Sequence, residues 1–131
     1  MKYLGIDFGS KRVGYAVSDA DGVIAFPRST LPNDAQLLDV LQAAAAKEKV
    51  DALVMGDTLS HGGNRNTVSE AADAFAAGII ARTGLPLART TEIWSSMEAS
   101  RFAPDGHEHD DAAAAAFILQ RFLDMHRNGV E

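Results

Sequence analysis

Apolar residues recur at every second position through the opening of the chain, and at every third or fourth position after Pro32. That change of period confines the fold. Leu4, Ile6 and Phe8 share one face of a strand, and Val13, Tyr15 and Val17 do the same in a second. A third strand is expected through Val23, Ile24, Ala25 and Phe26 toward Thr30. Gly9-Ser10-Lys11 and Ser18-Asp19-Ala20-Asp21-Gly22 join the three, both short enough for antiparallel hairpins. The chain should therefore open as a meander.

Beyond Pro32, Asn33 or Asp34 is placed to cap a helix that carries Leu37, Leu38, Leu41 and Ala45 and runs out at Lys47-Glu48-Lys49. Residues 52–56 read as a strand and residues 57–64 as a loop. Val68, Ala71, Ala72, Phe75, Ala76, Ile79 and Ile80 follow the helical period up to Thr83-Gly84. Residues 85–91 suit another strand, 95–102 a short helix and 112–126 an alanine-rich closing helix. Helix crossovers between strands usually make parallel pairs. The expectation is one α/β domain over residues 1–131, with a mixed five-stranded sheet, three antiparallel meander strands then two parallel, flanked by helices. Ligands of such sheets bind outside the carboxyl ends of the strands, and Asp7, Asp57 and Glu92 stand at or just past those ends.

Composition narrows the chemistry. With no cysteine among 131 residues, thiolate nucleophiles, disulfides and cysteine-built zinc sites are excluded. The opening has no secretion signal and no stretch nears the length of a membrane span, so a cytoplasmic protein without membrane contact is expected. Eighteen acidic against twelve basic residues, a net charge of −6, oppose diffuse binding to a polyanion. Any nucleic-acid contact must be local, and basic residues do gather by candidate loops: Lys11 and Arg12, Arg65, Arg89 and Arg101.

Asp7 ends an apolar strand and runs into Phe8-Gly9-Ser10-Lys11-Arg12-Val13-Gly14, a carboxylate beside backbone that can bend around phosphate or metal. The closing helix adds Asp110-Asp111. Positions 111, 115, 118 and 122 form a stripe that should face the sheet, which makes Asp111 the inward acid, although a one-residue change in the helix start would exchange it with Asp110. Carboxylates converging at one sheet edge repel unless a cation sits among them, and oxygen ligands select a hard ion, Mg²⁺ or Mn²⁺. His107-Glu108-His109-Asp110 has no matching partner for a zinc site, and Trp94 reads as a core residue.

These motifs together resemble the YqgF/RuvX family, pre-16S rRNA nucleases related to bacterial Holliday-junction resolvases with an RNase H-like fold. Asp7-Phe8-Gly9-Ser10-Lys11-Arg12-Val13-Gly14 is similar to the family's opening Asp-x-Gly-x-Lys-x-x-Gly. Residues 91–99 lie where the family has Asp-Glu-Arg and then Leu-Ser-Thr-Val-Glu-Ala, and residues 111–120 resemble its closing Asp-x-x-x-A-x-x-I-L, which selects Asp111. The resemblance implies that Asp7, Glu92 and Asp111 are catalytic and hold divalent metal for hydrolysis of a phosphodiester. It also implies that Gly9, Ser10, Lys11, Arg12 and Arg65 bind nucleic acid, with Gly9 and Gly14 letting backbone approach phosphate. The implied partner is RNA, most directly the 5′ end of precursor 16S rRNA, or else branched DNA, where a homodimer would make paired cuts. The chain departs from the family at Asp57, where a Leu is usual, and at Thr91 and Ile93, where an acid and an Arg are usual. Asp57 could stand in for the lost acid. The same losses fit an alternative, a nucleic-acid-binding module with weakened catalysis.

Overall fold

The computed structural model describes residues 1–57, 67–91 and 111–127. Within these, β1 (Tyr3–Phe8), β2 (Arg12–Ser18) and β3 (Ala25–Pro32) lead to helix α1 (Leu37–Glu48). Strand β4 (Ala52–Asp57), helix α2 (Thr67–Thr83), strand β5 (Leu87–Thr91) and helix α3 (Asp111–Arg127) follow. The five strands form one sheet in the order β3-β2-β1-β4-β5. β1 pairs antiparallel with β2 and β2 with β3, whereas β4 lies parallel to β1 and β5 parallel to β4. The meander and the later parallel strands are as the sequence pattern predicts.

Period-two alternation sorts the strands onto two faces. Leu4, Ile6, Phe8, Val13, Val17, Leu53 and Met55 pack with Leu37 and Leu41 of α1 and Phe75 and Ile79 of α2 in one apolar cluster. On the opposite face Ala16 and Val54 pack with Ala115, Ala116, Ile118, Leu119, Phe122 and Leu123 of α3. Small residues face each other there. At Gly5 a Cβ would stand 2.7 Å from the Cβ of Leu119, so the alanine-rich helix rides close to the sheet. The stripe at positions 115, 118 and 122 is buried, as its spacing predicts.

Several boundaries shift by one or two residues, with β4 running on to Asp57, β5 starting at Leu87 rather than at residue 85 and α3 at Asp111 rather than at residue 112; two further differences have a visible cause. Strand β3 starts at Ala25 rather than Val23, because the Asp19 carboxylate accepts hydrogen bonds from the amides of Val23 (2.7 Å) and Ile24 (3.1 Å) and holds them in the turn. Gln120 of α3 then takes the next polar groups, accepting from the Ala25 amide at 2.9 Å and donating to the Val23 carbonyl at 2.9 Å. Helix α1 is capped by neither Asn33 nor Asp34. Gln36 is its N-cap and gives no side-chain cap bond, while the Asp34 carboxylate accepts from the Gln36 amide at 3.0 Å one step earlier. The expected helix at 95–102, Trp94 and His107 lie outside the described residues. Among the described residues no helix is long and apolar enough to cross a membrane.

Candidate active site

Asp7 is the next-to-last residue of β1, and alternation with Leu4, Ile6 and Phe8 turns it to the α3 face. Its antiparallel partner across β1 and β2 is Gly14. A Cβ on Gly14 would lie 1.9 Å from the carbonyl oxygen of Asp111 and 2.6 Å from the amide nitrogen of Ala112. No side chain fits there. The first turn of α3 is therefore seated on β2 directly beside Asp7, and the two acids meet. Gly14 thus serves a different purpose from the one its motif suggests: it admits the main chain of α3, not a phosphate.

The electrostatics follow from that seating. Half-buried Asp7 loses hydration, and the Asp111 carboxylate adds like-charge repulsion, so its carboxyl is pushed up to about 6. Arg12, the first residue of β2, brings its Nε to 3.1 Å from Asp111 Oδ2. That oxygen is buried and has no hydrogen-bond partner, so the N–H is not aimed at it and the contact is an ion pair only. The Arg12 side chain is 56% exposed and that of Asp111 22%.

The turn from β1 to β2 is braced from outside. Asn33 donates its side-chain amide to the Gly9 carbonyl at 2.8 Å, and its main-chain amide to the Lys11 carbonyl at 2.9 Å. Gly9 closes the turn tightly, since a Cβ on it would meet the Arg12 carbonyl oxygen at 2.6 Å. Ser10 and Lys11 are left exposed at the tip. Asn33 is a brace of this turn and not the helix cap that its place in the sequence suggests. Its only signal in the sequence is its place just after β3, whose Pro32 pairs with Arg12.

Thr90 completes the described part of this edge. It pairs with Gly56 and lies two residues after Ala88, which packs on the α3 face. Its hydroxyl is buried without a hydrogen-bond partner. Of the residues expected at the site, Asp7, Asp111 and Arg12 are brought together, with Gly9, Ser10 and Lys11 in the adjoining turn. Glu92 and Arg65 lie outside the described residues, as do Asp110 and the side chain of Asp57, whose backbone pairs with Thr91. Among the described residues no three acidic or histidine side chains gather as a metal cage. The pair Asp7 and Asp111 nonetheless suits a hard cation: both donors are oxygens, one is buried without a hydrogen bond, and the other is made harder to ionise by burial first and then by its neighbour.

A family model described as "RuvX: Holliday junction resolvase" matches residues 1–125. The chain belongs to the RuvX family. A relative from Nitratidesulfovibrio vulgaris (strain Miyazaki F) is 38% identical, covering 95% of this chain and 94% of its own. One from Oleidesulfovibrio alaskensis is 34% identical, covering 95% and 93%. Both carry the name "Putative pre-16S rRNA nuclease". Among solved structures, Thermus thermophilus RuvC in complex with a Holliday junction substrate aligns with a TM-score of 0.67 at 12% identity, over 99% of this chain and 97% of that one. This RuvX chain therefore has the RNase H-like fold of the RuvC resolvases, with Asp7 at the end of its central strand β1.

Proposed function

We propose that this chain, as one domain over residues 1–131, is a metal-dependent nuclease that hydrolyses phosphodiester bonds and processes the 5′ end of precursor 16S rRNA in the cytoplasm. The observation that carries the reading is the forced proximity of Asp7 and Asp111 in a site where burial first, and then their mutual repulsion, raises the pKa of Asp7 and leaves a carboxylate pair in want of a cation. Membership of RuvX and the names of the relatives support the substrate class.

Asp7 and Asp111 would hold Mg²⁺ or Mn²⁺ together with Glu92, which directly follows β5. A bound divalent ion supplies Lewis acidity toward the phosphate and activation of a water. Everything else falls to the chain. Lys11 and Arg12 bind phosphates flanking the scissile one, Gly9 and Ser10 offer main chain at the turn, and Arg65 extends the contact. Asn33 keeps the turn in register with the acids.

A second reading, cleavage of branched DNA, is favoured by the family description and by the fold shared with a resolvase solved on a junction. It would require two copies of the chain for paired cuts. Incubating a labelled precursor 16S 5′ fragment and a four-way DNA junction with Mg²⁺, Mn²⁺ or EDTA separates the two. RNA cleavage lost in Asp7→Asn is the expected result, and cleavage of the junction alone would assign the chain to recombination. Cleavage of neither by folded protein would leave a binding module, with Thr91 and Ile93 as the reason.

A further inference from the structure

The Arg12 guanidinium lies where a cation for the carboxylate pair would be welcome, and it is held there loosely. Its Nε is 3.1 Å from Asp111 Oδ2, yet that buried oxygen receives no hydrogen bond, so the pair rests on charge attraction alone. More than half of the Arg12 side chain is open to solvent. Its backbone is fixed by pairing with Pro32 and by the Asn33 bond to the preceding carbonyl, so the side chain can leave without moving the fold. Neighbouring Lys11, also exposed, makes no such pair among the described residues.

We propose that Arg12 is a resident counter-ion for Asp111 which a divalent cation must displace, so that metal loading releases Arg12 toward the phosphate of the nucleic acid. Until metal arrives, Arg12 screens an otherwise repulsive pair of acids and is withheld from substrate. This rests on the metal site proposed above at Asp7 and Asp111. A first ligand that removes an occluding contact raises the population competent for the second, and the coupling acts equally in both directions.

Mn²⁺ titration of EDTA-stripped full-length protein, read by the electron paramagnetic resonance of free Mn²⁺, tests this without nucleic acid or turnover. Wild type is compared with Arg12→Gln, Lys11→Gln and Asp111→Asn at one ionic strength. Arg12→Gln should bind Mn²⁺ roughly tenfold more tightly, as expected if the contact is closed about nine-tenths of the time. Lys11→Gln removes the same charge one residue away and should gain only about twofold, because its field is screened through solvent. Equal gains in the two variants, or none in Arg12→Gln while Asp111→Asn binds weakly, would overturn the counter-ion and leave the metal site standing. Unchanged binding in Asp111→Asn would remove the metal site itself. Arg12→Met, which keeps the aliphatic stem, must give the same gain as Arg12→Gln and replaces it should that variant unfold.

Discussion

The main chain of Asp111 occupies the space that a side chain at Gly14 would need, with its carbonyl oxygen 1.9 Å from the position of a Cβ. This contact fixes where α3 begins on the sheet, and through the Asp7 to Gly14 register it fixes the distance between the two acids. Gly14→Ala must therefore push the helix start outward. Overpacking of this kind costs about 1–3 kcal/mol, which urea denaturation would read as a lower midpoint. Mn²⁺ affinity should fall in the same variant. An unchanged midpoint together with unchanged affinity would mean that the helix start is free to shift.

Asp7 makes the fold less stable whenever it is ionised. Burial first, and then repulsion from Asp111, hold its carboxyl at about 6 against an ordinary 3.8. The folded protein thus binds this proton more tightly than the unfolded chain does. The penalty is absent below 3.8, grows as pH rises toward 6 and is complete above it, on the order of 2–3 kcal/mol. Asp7→Asn, measured in EDTA, should be more stable than wild type by about that much at pH 8 and no more stable at pH 3.5. Mg²⁺ should stabilise wild type and not the variant, and cleavage should vanish. A variant less stable than wild type at pH 8 would make Asp7 a structural residue.

Much of this arrangement is legible in the sequence, for reasons that particular residues show. Leu4, Ile6 and Phe8 alternate because one face of β1 is buried against α1 and α2, and the stripe at 115, 118 and 122 repeats because one face of α3 is. Asp7 stands where the β1 pattern ends, whereas the α3 pattern leaves Asp110 and Asp111 exchangeable, and the family resemblance selects Asp111. Contacts between distant segments leave no periodic trace. The Asp19 and Gln120 bonds that delay β3, the Asn33 brace on Gly9 and the ion pair of Arg12 with Asp111 each depend on tertiary placement. A glycine such as Gly14 records that space is required and not what fills it. At Asn33 the sequence does not separate a cap from a turn brace, because the same residue types serve both.

Asn33 positions the turn through one side-chain bond to the Gly9 carbonyl, at 2.8 Å and partly buried. Asn33→Ala removes that donor and should cost about 1 kcal/mol of stability. Because the turn carries Lys11 and Arg12, nucleic-acid affinity should drop severalfold while Mn²⁺ affinity at the acids stays within about twofold. Thermal melts, fluorescence anisotropy on a labelled RNA and Mn²⁺ titration make the comparison. Parallel losses in RNA and Mn²⁺ binding would show that Asn33 supports the acids as well as the turn.

Lys11 is the exposed cation at the tip of that turn, and no acid among the described residues neutralises it. Elsewhere Arg28 is tied to Glu48, Arg82 to Asp39 and Arg89 to Asp73, so their charge is largely spent within the fold. On a chain of net charge −6, an unspent cation beside the acids is where a phosphate can be held. One phosphate contact contributes a slope of about 0.9 in log affinity against log salt on duplex nucleic acid, and about 0.7 on a single strand. Lys11→Gln should therefore flatten the salt dependence of binding by close to one such contact, with the same loss on every sequence tested. A slope equal to that of wild type would remove Lys11 from the phosphate path and leave Arg12 to hold it alone.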